Sequence, residues 1–166
     1  DTKADNPGSG DDDVRALAAA VPGISISYPY PGDSLDWGTD VRVKIFNSCP
    51  EVPTSPVNIN NCSIVLKLTY QNLSILFTGD MQSDVETQVV ARFGSEIQSD
   101  VLKVGHHGSA GSSSETFLNA AKPKIAYIEV GKDNSYGHPR ADTLARLRTA
   151  GARIYRTDLD ATQEYQ

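Results

Sequence analysis

Two apolar segments of this chain each end in a glycine followed by polar residues, and this feature constrains the fold most. Leu73–Thr78 continues into a Gly-Asp pair at Asp80, and Val101–Val104 continues into a Gly-His-His-Gly sequence that begins before His106. Glycine permits a sharp turn, and the carboxyl ends of strands in α/β sheets are where ligands usually bind. The pattern therefore predicts a sheet that presents a carboxylate and imidazoles at one edge.

The order of the apolar segments indicates the fold class. Ser63–Tyr70 and Leu73–Thr78, joined by a Gln-Asn turn, are typical of a β-hairpin, and strands alternate with helices after it. This order predicts an α/β layered fold with a mixed sheet.

Three helix starts are predicted after the hairpin. Ser83 with Glu86, and Ser112 with Glu115, match the capping box at a helix N-terminus. Pro139 suits the first turn of a third helix.

Composition excludes some classes of function. The formal net charge of −6 argues against a basic protein that holds nucleic acid by charge alone. Lysine and arginine are nevertheless concentrated after residue 100, so a polyanionic substrate near the histidines stays open. No apolar run approaches the roughly 20 residues of a membrane helix, so we expect no membrane-spanning segment in this chain.

The chain divides into a short leader and one domain. Residues 1–12 are acidic and glycine-rich and are expected to be flexible, while residues 13–166 form the domain. Cys49 and Cys62 match no zinc or redox motif. Two free thiols are the favoured interpretation, and a disulfide that closes the intervening loop in an oxidising compartment is the alternative.

The candidate site residues each have a functional and a plain interpretation. Asp80 could bridge two metal ions or cap a turn, and His106 or His107 could bind a metal or be a polar loop residue. His138 could act as an acid, contact an anion or cap a helix. Ser109 could donate its hydroxyl to a phosphate.

Five motifs in this order resemble the metallo-β-lactamase superfamily, and most closely the C-terminal domain of ComEC-type competence proteins and their soluble relatives. They are N-N-C-S-I-V-L-K-L (60–68), I-L-F-T-G-D (75–80), D-V-L-K-V-G-H-H-G-S (100–109), N-S-Y-G-H-P (134–139) and G-A-R-I-Y-R-T-D (151–158). The combination is specific, although each motif alone is weak.

The resemblance implies an αββα sandwich in which two zinc or manganese ions activate a water for hydrolysis of phosphodiesters, including DNA. It matches Asp80 to the bridging carboxylate and one of His106 and His107 to the last histidine ligand. By the same resemblance His138 contacts a substrate phosphate or assists the leaving group, and Ser109 lies in the substrate-binding region. Asp80 and His138 are therefore the expected catalytic residues.

One departure limits what the chain is expected to do. The His-x-His-x-Asp-His motif should precede Asp80, yet residues 1–79 contain no histidine. The sequence therefore resembles a C-terminal portion of the sandwich, expected to bind few or no metal ions alone. Its complement would be an N-terminal half in the same or a separate chain.

Alternatives for this chain also stay open. It could be a non-catalytic binding or structural module of the same fold, or an unrelated α/β domain. The compartment would be extracytoplasmic for a competence-type membrane protein, and cytoplasmic or secreted otherwise.

Overall fold

The computed structural model describes residues 1–3, 10–53 and 58–160. Its helices are α1 (Gly10–Ala20), α2 (Ser83–Phe93), α3 (Glu115–Ala121) and α4 (Ala141–Thr149). Its strands are β1 (Ser34–Asp36), β2 (Val41–Asn47), β3 (Val65–Tyr70), β4 (Leu73–Phe77), β5 (Val101–Lys103), β6 (Ile125–Ile128) and β7 (Arg153–Arg156). Short 3-10 turns lie at Ile59–Cys62, Gly94–Ile97 and Gly105–Gly108.

Within the described ranges, the strands form one seven-stranded mixed sheet in sequence order, β1 to β7. Strands β1 to β4 pair antiparallel, and β4 to β7 pair parallel. The predicted α/β class, the mixed sheet and the hairpin β3–β4 are confirmed. Because the parallel strands follow one another in one direction with a helix in each connection, the carboxyl ends of β4, β5 and β6 meet at one edge.

Helices α2, α3 and α4 cover one face of the sheet. Their apolar side chains pack with the buried strand residues in one cluster, which includes Phe93, Phe117 and Leu147 from the helices and Leu76 and Leu102 from the strands. This core fixes the strand ends that carry the candidate site.

The opposite face of the sheet is less well covered by the described residues. On β5 the buried Leu102 alternates with half-buried Val101 and Lys103, and Phe77 at the end of β4 is 38% exposed. A sheet that is buried on one side alone alternates in this way. The chain thus leaves much of one apolar face open along its parallel strands.

Several local predictions are corrected. Cys49 and Cys62 form a disulfide, so the expectation of two free thiols is wrong. The division into a leader 1–12 and a domain 13–166 stays a prediction: helix α1 begins at Gly10, and residues 4–9 lie outside the described part of the chain. At the other end of that leader, the terminal amino group of Asp1 donates to the carbonyl of Ser27.

The two predicted capping boxes, Ser83 with Glu86 and Ser112 with Glu115, are also wrong. The N-cap of α2 is Gln82, which makes no side-chain cap bond, and α3 is capped by Ser114, whose hydroxyl accepts from the Phe117 N–H. Glu86 instead reaches a different helix, as described below. Pro139 precedes the α4 N-cap, which is Arg140, so it lies just outside the first turn.

Candidate functional site

The carboxyl ends of β4, β5 and β6 bring together the side chains that the sequence singles out. Asp80 follows β4, the His106–His107 pair follows β5, and His138 lies in the loop after β6. The ring centroid of His106 is 6.4 Å from that of His107 and 5.8 Å from that of His138. The Asp80 Oδ1 atom is 3.6 Å from the Nε2 atom of His107. The predicted meeting of these groups at one edge is therefore present.

A tight turn against Ser63, which lies just before β3, positions Asp80. Gly79 has φ +53°, and a Cβ atom there would lie 2.7 Å from the Cβ of Ser63, so the turn requires glycine. The Ser63 hydroxyl accepts a hydrogen bond from the Asp80 N–H at 2.9 Å. The ammonium group of Lys103 donates to the Gly79 carbonyl at 3.3 Å. Ser63 directly follows the disulfide residue Cys62, so a covalent bridge supports this contact.

The Gly-His-His-Gly sequence forms a turn in the left-handed region. His106 and His107 have φ values of +47° and +53°, which are uncommon for residues other than glycine. The His106 N–H donates to the Gly79 carbonyl at 3.1 Å, which ties this turn to the one that carries Asp80. Gly108 lies against Pro139, where a Cβ would come within 2.5 Å of the proline Cβ. The turn therefore also holds the His138 loop in place.

His107 is oriented by a backbone acceptor. Its Nδ1 atom is 2.7 Å from the carbonyl oxygen of Glu129, which can only accept, so Nδ1 carries a proton. In the neutral ring the Nε2 atom then holds its lone pair, and this is the atom that faces the Asp80 carboxylate. A carbonyl partner on the far nitrogen is the usual support of a metal-binding histidine.

His106 has a weaker set of contacts. Its Nδ1 atom lies 3.5 Å from the Nε2 atom of Gln82, at the limit of a hydrogen bond. Its ring is half-buried between His107 and His138. His106 thus lies between the other two imidazoles, and among the described residues no backbone carbonyl holds its ring as Glu129 holds that of His107.

His138 is held by its backbone, whereas one nitrogen of its half-buried ring lacks a partner among the described residues. The amide of Asn134 donates to the His138 carbonyl at 2.7 Å and accepts from its N–H at 3.0 Å. The Nδ1 atom of the ring is buried and has no hydrogen-bond partner among the described residues. Burial lowers the pKa of His138, and the nearby His106 and Arg140 lower it further.

Ser109 and the serines after it are mostly used to build the loop. The Ser109 hydroxyl accepts from the Gly111 N–H at 3.3 Å, and the Ser112 hydroxyl donates to the Gly105 carbonyl at 2.7 Å. Ser114 caps α3. Ser109 remains half-buried next to the histidine turn, so its predicted contact with a substrate phosphate stays a prediction.

A hydrogen-bond network around the buried Glu86 secures this loop from behind. The Glu86 carboxylate, 1% exposed, accepts from the N–H groups of Ser113 and Ser114 at the start of α3. Arg146 on α4 donates to the carbonyls of Ser113 and Ser112 at 2.9 and 2.8 Å. Burial raises the pKa of Glu86, and the hydrogen bonds and Arg146 lower it in part. The network joins α2, α3 and α4 directly beneath the His106–His107 turn.

The donor set fits part of a divalent-metal site. Asp80 and His107 supply a carboxylate oxygen and an imidazole nitrogen side by side, which suits zinc or manganese. Among the described residues, however, no group of three or more His, Cys, Asp or Glu side chains could hold a metal ion. Since metal sites use three or four protein ligands, this chain's described residues do not complete one.

Comparison with known proteins identifies the family. The model of the metallo-beta-lactamase superfamily matches residues 12–131. The chain belongs to this superfamily. The alternative of an unrelated α/β domain is therefore wrong, and the resemblance read from the motifs is confirmed. His138 lies beyond the matched residues.

Two similar proteins are ComEC-type competence proteins, which confirms the closer resemblance. ComE operon protein 3 of Bacillus subtilis (strain 168) is 38% identical over 155 residues, 93% of this chain and 19% of the relative. Competence protein ComA of Neisseria gonorrhoeae is 37% identical over 115 residues, 68% of this chain and 17% of the relative.

A third relative extends the comparison. Recombination protein 2 of Haemophilus influenzae is 38% identical over 98 residues, 56% of this chain and 12% of the relative. This chain thus spans about a fifth or less of the length of the relatives it matches. In the part of the chain that the structure describes, no helix is both long and apolar enough to cross a bilayer.

Sequence reasoning missed several residues that build the site. Glu129 acts through its backbone carbonyl, and Gln82 and Ser63 come from separate elements. The position of Glu129 just after a parallel strand was the available signal, because that strand ends at the same edge as β5. Tyr136, in the same motif as His138, was not singled out either.

Proposed function

We propose that this chain supplies part of the active site of a metal-dependent hydrolase that acts on phosphodiester bonds, with DNA as one candidate substrate, or on related esters. The observation that carries the proposal is the pair formed by Asp80 Oδ1 and His107 Nε2, 3.6 Å apart, with the far nitrogen of His107 on a carbonyl. One relative is named for competence and one for recombination, which favours a nucleic-acid substrate.

Asp80 and His107 would hold the metal. A divalent metal held there would lower the pKa of a bound water and offset phosphoryl charge, the chemistry that metal-dependent phosphodiesterases use. Of the two adjacent histidines, His107 is the stronger candidate, because its ring is oriented with the lone pair toward Asp80. This assignment leaves His106 next to both His107 and His138.

His138 and Ser109 would serve the substrate. The buried, unpartnered Nδ1 atom of His138 and the Arg140 side chain beside the same loop favour an oxygen-rich ligand such as phosphate. His138 lies one imidazole away from the Asp80–His107 pair, through His106. It is therefore the proposed contact to the phosphate or leaving group.

The remaining donors would come from a segment that packs against the open sheet face, in the same or a separate chain. Support comes from Phe77, 38% exposed, and from the half-buried Val101 and Tyr127 on that face. An apolar sheet face of this kind is stabilised when another layer covers it.

A second candidate is a non-catalytic module of the same fold that binds a partner or an anionic ligand near His138 and Ser109. The observation in its favour is that the described residues contain no group of three or more candidate metal ligands.

The test uses the full product of the gene that encodes this chain. We expect elemental analysis to find zinc or manganese bound, and bis(p-nitrophenyl) phosphate or DNA to be hydrolysed. Asp80→Asn and His107→Ala should lose both metal and activity. Asp142→Asn, which makes the same chemical change at an exposed carboxylate of α4, should retain both. A full product that carries no metal and hydrolyses neither substrate would favour the non-catalytic module.

A further inference from the structure

A concave pocket lies beside the candidate site and has no role in the proposal above. Its volume is about 360 Å³, at the small end of ligand pockets. Its lining is formed by His107 and His138, which belong to the site, and by Glu129, Val130, Gly131, Asn134 and Tyr136. The pocket thus shares a wall with the proposed metal ligand.

An aromatic stack forms one wall of this pocket. The rings of Tyr136 and His138 lie 6.0 Å apart with an angle of 16° between their planes. Tyr136 is 75% exposed, so the stack is open to solvent at the tyrosine. Stacked rings leave a flat face on which a further planar ring can lie.

The loop that carries the stack is fixed by one amide. Asn134 Nδ2 donates to the carbonyls of Gly131 and His138, and Asn134 Oδ1 accepts from the His138 N–H. Gly137 has φ +68°, which lets the chain turn between Tyr136 and His138. The pocket wall is therefore shaped before a ligand arrives.

The charges around the pocket determine how a ligand would be oriented. Among the described residues, no lysine or arginine lines the pocket, so its interior offers a phosphate no such cationic partner. On the other side of the shared wall lie Asp80, where the proposed metal would offset negative charge, and the unpartnered Nδ1 atom of His138. A phosphoester would therefore put its phosphate on the imidazole side and its organic group in the pocket.

We propose that this pocket holds a nucleobase attached to the phosphate, and that Tyr136 selects for it by stacking. The proposal rests on the proposed function, since the phosphate is placed at Asp80, His107 and His138. A tyrosine face accepts any base, which suits a substrate that is not read by sequence. Tyr136 would thus determine specificity for a planar heteroaromatic group.

The test measures binding by this chain in the presence of zinc, which is diamagnetic, from the amide resonances of Gly131 and Gly137. The probes are deoxycytidine 5′-monophosphate, deoxycytidine, ribose 5-phosphate and phosphocholine. We expect the nucleotide to bind about tenfold more tightly than ribose 5-phosphate, the size of effect usual for one stacked base. Tyr136→Ala should abolish that preference, whereas Tyr136→Phe should keep it. Tyr70→Ala, at an exposed tyrosine on β3, is the matched control and should change nothing.

Equal binding of the nucleotide and ribose 5-phosphate, or a preference that survives in Tyr136→Ala, would overturn the inference. Tighter binding of phosphocholine than of the nucleotide would also overturn it, because the pocket would then take a cationic group over the tyrosine. If deoxycytidine binds as tightly as its monophosphate and Tyr136→Ala still weakens both, the base pocket stands and the placement of phosphate in the proposed function fails.

Discussion

His107 and His138 have different environments, and these differences separate their expected roles. The ring of His107 is held by the Glu129 carbonyl with Nε2 toward Asp80, while the ring of His138 keeps a buried nitrogen without a partner. These two imidazoles, which lie on either side of His106, thus differ in the partners left to them. One is suited to bind a metal, and the other to contact the substrate.

We predict that substitutions of these two histidines have separable effects in the full gene product. His107→Ala should lower metal content, measured by elemental analysis, and with it activity. His138→Ala should keep the metal but lower kcat by about 10²- to 10⁴-fold, the usual contribution of a positioned proton donor. Loss of metal in His138→Ala, or full metal content in His107→Ala, would contradict the assignment.

Glu86 gives a prediction about pH. Burial raises its pKa above the ordinary 4.5, so the native state binds this proton more tightly than the unfolded state. The protonated Glu86 therefore adds to the free energy of unfolding. This contribution is fully present below about pH 4.5 and is lost as the pH rises through the raised pKa of Glu86.

Relative to Glu86→Gln, the free energy of unfolding of the natural chain should therefore fall across that range and then level off. Urea unfolding at a series of pH values measures it. Glu115→Gln, an exposed control at the start of α3, should show no such trend, and a flat difference for Glu86→Gln would refute the prediction.

The elements position the site through close backbone contacts. The turn after β4 contacts Ser63 through the Asp80 N–H. The turn after β5 contacts the turn after β4, because the His106 N–H donates to the Gly79 carbonyl. Such contacts leave no room for a side chain at Gly79. The geometry of Asp80 therefore depends on a residue that has no side chain.

We predict that Gly79→Ala costs more stability than Gly151→Ala. Both glycines have a positive φ, +53° and +82°, so alanine is disfavoured at each by about 1–2 kcal/mol. A Cβ at Gly79 meets Ser63 at 2.7 Å, whereas one at Gly151 meets nothing within 4 Å. The contact should add about 1–3 kcal/mol, measured by urea unfolding. Equal costs would show that the turn can move away from Ser63.

The disulfide stabilises the segment that leads into Ser63. Its cysteines are 13 residues apart, and closing a loop of this length is worth about 3 kcal/mol in the chain-entropy description. Replacing both cysteines by serine should lower the free energy of unfolding by roughly this amount. A reductant should destabilise the natural chain but leave the double variant unchanged. If the reductant has no effect on the natural chain, the bridge does not contribute.

At the scale of the whole molecule, the sequence predicted the class, the hairpin and the strand ends that carry the site. These predictions are correct because they depend on the alternation of apolar and polar residues along the chain and on glycines at the strand ends. The choice between His106 and His107 could not be predicted, because two successive left-handed residues break the alternation. The role of Glu86 was missed for another reason: its partner Ser113 is 27 residues away, outside any local capping pattern.

The cysteine pairing shows the same limit. The spacing of Cys49 and Cys62 matches no motif, so the sequence favours free thiols. The fold, however, brings both cysteines to the same edge, after β2 and before β3. Long-range contacts of this kind depend on how the sheet places its loops, which a single sequence specifies weakly.

The central claim is that Asp80 and His107 form part of a divalent-metal site, and one measurement tests it most directly. Manganese can be titrated into this chain while paramagnetic broadening of its resonances is followed. We predict weak manganese binding that first broadens the signals around Asp80 and His107. Asp80→Asn or His107→Ala should abolish this binding, whereas Asp142→Asn should leave it unchanged. Broadening that begins elsewhere on the surface, or that is unchanged in Asp80→Asn and His107→Ala, would contradict the account.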